Sequence, residues 1–123
     1  MATVGYVALG TNDFDRATAF YDALLGELGG GRMMPTPNGV IYRMPEGPMI
    51  LVTKPFNGEP ASVGNGNMLA IQVDSKEQVA AMHAKALSLG GTCEGAPGQR
   101  GAFGEFAYCR DLDGNKLAFF KMG

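Results

Sequence analysis

The sequence predicts an α+β fold of two βαβββ modules, eight strands and two main helices, within a single domain over residues 1–123. Three observations carry that prediction. Displaced by 62 residues the chain repeats itself: Leu9 meets Ile71, Asn12 meets Asp74, Ala17 meets Val79, Phe20 meets Met82 and Leu25 meets Leu87. Further on the displacement becomes 67, with Arg43 on Arg110, Gly47 on Gly114, Ile50 on Leu117 and Val52 on Phe119, so the second copy holds extra residues before its last hairpin. Each copy also carries one run of apolar residues at helical spacing, followed by short apolar segments between turn compositions. Each copy alone exposes an apolar face, and pairing the copies is the direct way to cover both.

Residues 3–10 alternate as a strand. Asn12 with Asp15 three residues on opens a helix as a capping pair, and Phe14, Ala17, Phe20, Tyr21, Leu24, Leu25 and Leu28 recur at helical spacing until Gly29-Gly30-Gly31 ends the run. Segments near 31–35, 38–44 and 48–54 are strands, separated by Thr36-Pro37-Asn38-Gly39 and Pro45-Glu46-Gly47-Pro48. Module one is therefore 1–55. Residues 56–66, rich in Gly, Pro and polar groups, form a linker, and module two runs 67–123. Its first strand is 67–73, and its helix opens at Asp74 with Glu77 and stops at Gly90-Gly91. Strands follow near 92–95, 105–110 and 116–122. Residues 95–104 read as an irregular loop able to act as a flap, and Asp111–Asn115 as the last hairpin turn.

Composition narrows the function. With 46% hydrophobic residues in 123, the chain can bury about two-thirds of its unfolded surface. Ten Lys plus Arg against twelve Asp plus Glu leave a charge of −2 with no basic run, which argues against nucleic acid and against an anionic membrane. Cys93 and Cys109 lack metal-type spacing and read as reduced thiols, and neither a membrane-length apolar run nor a signal peptide is visible, so a cytoplasmic protein is expected.

The paired modules, Asn-Asp-Phe-Asp-Arg-Ala-Thr-Ala-Phe-Tyr at 12–21 and Arg-Asp-Leu-Asp-Gly-Asn-Lys at 110–116 together resemble the vicinal oxygen chelate superfamily of glyoxalases, bleomycin resistance proteins and extradiol dioxygenases. Gly-Asn-Gly at 64–66, His83-Ala84-Lys85-Ala86-Leu87 and Glu94-Gly95-Ala96-Pro97-Gly98 are similar to small glyoxalase-related members. The resemblance implies that each module curls its sheet into half of an open barrel and that the protein is a homodimer. It also implies that metal-binding members place His, Glu or Gln on the first and last strands of each module. Those positions fall here on Tyr6, Leu51, Met68 and Ala118. Leu and Ala offer no donor, a thioether is soft, and a phenol is protonated near pH 7, so no metal and no other cofactor is expected. The adjacent Gly5, Val7, Asn67, Leu69, Leu117 and Phe119 restore no ligand if the register slips by one.

The remaining chemistry is a set of cavity-lining candidates. Alternation puts Tyr6, Tyr42, Thr53, Gln72 and Tyr108 on strand faces, with Arg100 on the flap. Leu51, Met68, Ala118 and Phe120 complete a lining suited to a small, flat, moderately apolar molecule. His83, the single histidine, belongs to the apolar face of the second helix and reads as structural. The recurring Arg43 and Arg110 suggest a shared fold role such as anchoring a hairpin. The expected function is metal-independent binding of a small-molecule ligand. Two alternatives stay open: a glyoxalase-related lyase or other enzyme using Tyr6 or His83 in place of a metal, and a scaffold domain with a filled cavity.

Overall fold

A computed structural model describes all residues from Met1 to Gly123. The chain divides into two compact units, Met1–Val63 and Gly64–Gly123, each with a four-stranded sheet and one helix. The first unit runs β1 (Tyr6–Gly10), α1 (Phe14–Gly26), β2 (Gly31–Pro35), β3 (Gly39–Arg43) and β4 (Met49–Thr53). The second runs β5 (Leu69–Gln72), α2 (Lys76–Ser88), β6 (Thr92–Arg100), β7 (Gly104–Arg110) and β8 (Lys116–Met122). Both units are therefore βαβββ, and the sheets have the same order, β1-β4-β3-β2 and β5-β8-β7-β6. In each, the first strand pairs in parallel with the last, and the other pairings are antiparallel. The helix is the crossover that a parallel pair requires.

Both helices have 13 residues and stand 62 residues apart, as the repeat predicts. Their caps lie one residue later than expected. Asp13, not Asn12, accepts from the Arg16 amide (3.2 Å), because the Asn12 side chain is engaged with the linker: it donates to the Ala61 carbonyl (3.0 Å) and accepts from the Ala61 amide (2.7 Å). Ser75, not Asp74, caps α2 by accepting from the Gln78 amide (3.1 Å), and the Gln78 side chain reaches back to the Asp74 amide (2.8 Å). The first strand also starts later than residue 3, and β5 occupies only the middle of 67–73.

In the first unit, Ala17, Phe20, Tyr21, Leu24 and Leu25 of α1 are buried with Val40 and Tyr42 of β3 and Ile50 and Val52 of β4. In the second, Val79, Met82, His83 and Ala86 of α2 are buried with Ala107, Cys109, Leu117 and Phe119. Fully burying each large aliphatic or aromatic side chain contributes about 1.5–3 kcal/mol. The alternation along β3, β4 and β7 assigns one face of each sheet to its helix and leaves the other face for something else, although in β8 Ala118, on that other face, is buried as well.

The largest difference from the sequence reading lies at 95–104. Those residues are not a flap: β6 continues to Arg100, residues 101–103 turn, and β7 begins at Gly104. Gly98 pairs with Phe106, Gln99 with Glu105 and Arg100 with Gly104, while register shifts between Cys93 and Gly95 and between Gly95 and Gly98 absorb the extra length of the second copy. Gly104 has φ +143°, and a Cβ there would collide with the Lys121 carbonyl, so the hairpin requires glycine at that point.

Candidate functional site

On the second unit, the face of the sheet turned away from α2 gathers five of the ten candidates, Gln72, Arg100, Tyr108, Ala118 and Phe120. Register sets Tyr108 opposite Ala118 and Ala118 opposite Ala70. The next row sets Phe106 opposite Phe120 and Phe120 opposite Gln72. Because side chains two apart share a face, Lys116 joins Ala118 and Phe120 there. The opposite parity, Ala107, Cys109, Leu117 and Phe119, is fully buried in the core.

The aromatic rings form a stack that ends in positive charge. Phe106 and Phe120 lie 5.1 Å apart between centroids at 9°, and Phe106 and Tyr108 lie 6.1 Å apart at 17°. The Arg100 guanidinium carbon is 5.6 Å and the Lys116 ammonium 5.2 Å from the centre of the Tyr108 ring, whose electron-rich face attracts both. Arg100 is further held by donating to the Ala96 carbonyl (2.7 Å). Two glycines clear its path. A Cβ on Gly98 would approach the Arg100 guanidinium to 2.9 Å, and one on Gly95 would approach the Tyr108 ring to 2.8 Å. At the same edge Arg110 donates through Nε to Glu94 (2.6 Å) and through Nη1 to the Gly114 carbonyl (3.1 Å), which pins the last hairpin. The Arg110 guanidinium holds the Glu94 carboxyl below the usual carboxylate range. Arg43 has no such role; it reaches the Met33 sulfur at 3.5 Å.

The first unit's corresponding face mixes aliphatic Ala8, Ile41 and Leu51 with Thr53 and Tyr6. Leu51 lies between Ala8 and Ile41, Thr53 between Gly10 and Gly39, and Tyr6 opposite Met49. Tyr6 is 58% exposed; in the second unit Met68, just before β5, is 45% exposed. The Thr53 hydroxyl donates to the Lys54 carbonyl (2.8 Å), with the Asn38 carbonyl 3.2 Å away.

Tyr42 departs from the expected lining. It is fully buried on the helix side of its sheet, where its hydroxyl donates to Asp22 (2.8 Å) and lies 3.2 Å from the Thr18 carbonyl. Arg32 grips both oxygens of the same carboxylate at 2.8 Å. This triad pins α1 to β2 and β3. The Arg32 hydrogen bond, aided by that of Tyr42 and opposed by desolvation, lowers the Asp22 pKa, and burial raises that of the Tyr42 phenol.

His83 also faces the core, 7% exposed, and its Nε2 has no hydrogen-bond partner. The sheet separates it from Tyr108 and Arg100. Burial foremost, then Asp111 and Cys93, pushes the Cys109 thiol up to about 11, so it is not a ready nucleophile. Asp111 accepts from the amides of Asp113 and Asn115 (both 2.9 Å), which makes 111–115 the hairpin turn that was expected.

No group of three His, Cys, Asp or Glu is arranged to hold a metal ion. The four positions that the resemblance assigns to metal ligands hold Tyr6, Leu51 and Ala118 on strands and Met68 just before β5, and those side chains offer no imidazole or carboxylate for a divalent ion. Open grooves of about 410 Å³ beside Thr11, Asn38 and Phe56 and about 480 Å³ beside Arg32 and Met44 include none of the ten candidates. Phe106 and Lys116 were missed from sequence, although stepping two residues from Tyr108 and from Ala118 reaches both.

No helix is long and apolar enough to cross a membrane. A search of curated proteins finds no match. Among solved structures, a glyoxalase/bleomycin resistance protein from Albidiferax ferrireducens is similar at 40% identity and TM-score 0.86, covering 97% of this chain and 98% of that one. A glyoxalase-related enzyme from Fulvimarina pelagi shares the fold at 20% identity and TM-score 0.81, covering 98% and 88%. A lactoylglutathione lyase from Agrobacterium tumefaciens does so at 20% identity and TM-score 0.73, covering 98% and 94%. The model of the Glyoxalase/Bleomycin resistance protein/Dioxygenase superfamily matches residues 3–119, and the chain belongs to that superfamily.

Proposed function

We propose that this protein binds a small, moderately apolar molecule, without a metal, on the open face of the second unit's sheet. The observation that carries the reading is the convergence of Phe106, Tyr108 and Phe120 with Arg100 and Lys116 on one face. Apolar area with a few placed polar groups is what small-molecule recognition needs. The neighbouring strand positions lack the imidazole and carboxylate donors with which a divalent ion would be held. A lyase reading finds less support: His83 lies behind the sheet, and Tyr6 is exposed at the start of β1. Each sheet ends in strands with an unpaired edge, β1 and β2 in one and β5 and β6 in the other, which favours a homodimer.

Native mass spectrometry of the freshly purified protein tests all three parts. A metal-free dimer carrying a stoichiometric organic mass is the expected result. A stoichiometric divalent ion would overturn metal independence, and a chain that takes up no small molecule from a broad mixture would leave a scaffold.

A further inference from the structure

We infer that the ligand of this face is a planar aromatic carboxylate, its anionic group taken by Arg100 and Lys116 and its ring laid along the Phe106–Phe120 stack. The inference rests on the binding reading above and adds the chemical class. Its ground is a local imbalance of charge. The chain as a whole carries −2, yet this face brings Arg100, Arg110 and Lys116 together, and the carboxylate that pairs with one of them is Glu94, held by Arg110. Arg110 takes Glu94 at 2.6 Å. Neither Arg100 nor Lys116 forms an ion pair of its own: each rests on the Tyr108 ring, and Lys116 acts on Glu94 only at longer range, as a minor cause of that carboxyl's lowered pKa.

That arrangement is poised for an anion. A ring quadrupole positions a cation but does not neutralise it, so both charges remain available to a ligand oxygen. Arg100 spends one donor on Ala96 and has four others in a planar fork that matches a carboxylate. The space cleared at Gly95 and Gly98 sets the guanidinium over Tyr108 and not out in solvent, which limits the side-chain entropy lost on binding. The same row supplies the aromatic part of the specificity. Phe106 and Phe120 are half-buried parallel rings whose exposed portions suit edge or offset contact with a planar ligand, and Gln72, opposite Phe120, provides a polar group at the far end. The charges meet the anion at one end of the stack and the rings meet its apolar body, so a compact inorganic anion would use only half of the site.

Isothermal titration calorimetry on the full chain with 2-naphthoate and with the neutral 2-naphthalenemethanol tests the inference. The expected result is that naphthoate binds at least about tenfold more tightly, as charge-assisted hydrogen bonds to a carboxylate allow. That advantage should shrink as salt rises from roughly 50 to 500 mM. It should vanish in Arg100→Gln/Lys116→Gln, with the affinity for the alcohol retained. Lys116→Arg, which keeps the charge, should preserve the advantage and so controls for damage to the fold. Equal binding of acid and alcohol would overturn the anion assignment and leave the binding reading intact. An organic mass retained in native spectra, with no binding of either probe, would overturn the aromatic-anion class alone. No probe bound and no retained mass would remove both.

Discussion

In the first unit the buried Tyr42 bonds to Asp22, which Arg32 grips at the exposed rim, and the three tie the helix to its sheet; in the second, Arg100 and Lys116 flank Tyr108 on the sheet's other face. The plan of strands is the same in both. What differs is the side of the sheet on which polar chemistry was placed. On the helix side a hydrogen-bonded ionic cluster increases cohesion, because each partner satisfies another. On the open side, cations without a carboxylate add little to stability and keep their capacity for a ligand. The first unit's polar cluster thus serves to hold its helix to its sheet, and the second unit's, under the proposed function, serves a ligand.

The sharpest way to break that comparison is to truncate one tyrosine from each side. Tyr42→Ala removes a fully buried ring and strands Asp22 without its phenol, and should cost about 3–5 kcal/mol in urea unfolding. Tyr108→Ala removes a half-buried ring and should cost only about 1–2 kcal/mol while weakening ligand binding. Equal losses of stability would erase the distinction between the two faces.

Much of this is legible in the sequence. Both helices follow from apolar spacing, and the repeat fixes the offset at which they recur. The caps were displaced by one in both copies for one reason: Asn12-Asp13 and Asp74-Ser75 each set two capable residues side by side, and only the tertiary use of Asn12 by Ala61 decides the first case. The second half of β6 is hidden in the sequence because Gly95, Pro97 and Gly98 have poor strand propensity and the pairing is maintained across bulges. Tyr42 was placed on the wrong side because a five-residue strand does not reveal which parity meets the helix. Its repeat partner Cys109 is buried in the same way, so the two copies share this parity. Tyr108, Gln72, Ala118 and Phe120 share one face by simple alternation, and their cross-strand rows needed register that sequence alone does not supply.

A smaller effect tests whether α2 has any polar task. The buried His83 Nε2 without a partner should make His83→Leu stabilising by about 1 kcal/mol, read as a higher urea midpoint with an unchanged slope. Ligand affinity should not change, since the histidine lies behind the sheet. A loss of stability would mean that the ring contributes packing or a bond that outweighs the unpaired nitrogen.

The smallest effect separates charge from shape in the first unit. The Asp22 carboxyl titrates below its usual range, first because Arg32 donates to it and then because Tyr42 does, with burial opposing. In the acid window the native state binds fewer protons than the unfolded chain, so the stability this group supplies is complete above the ordinary carboxylate pKa of about 3.9. It is lost as pH falls through the lower folded value. Asp22→Asn keeps the shape and one acceptor but removes the charge, and the pair is exposed enough that its cost at pH 7 should be only about 0.5–1 kcal/mol. The urea midpoints of variant and native protein should therefore converge as pH is lowered below that range. A gap that stays constant down to the acid limit would assign the effect to lost geometry around Tyr42, and the cohesion of the first unit would then rest on packing and neutral hydrogen bonds, with no contribution from the ion pair.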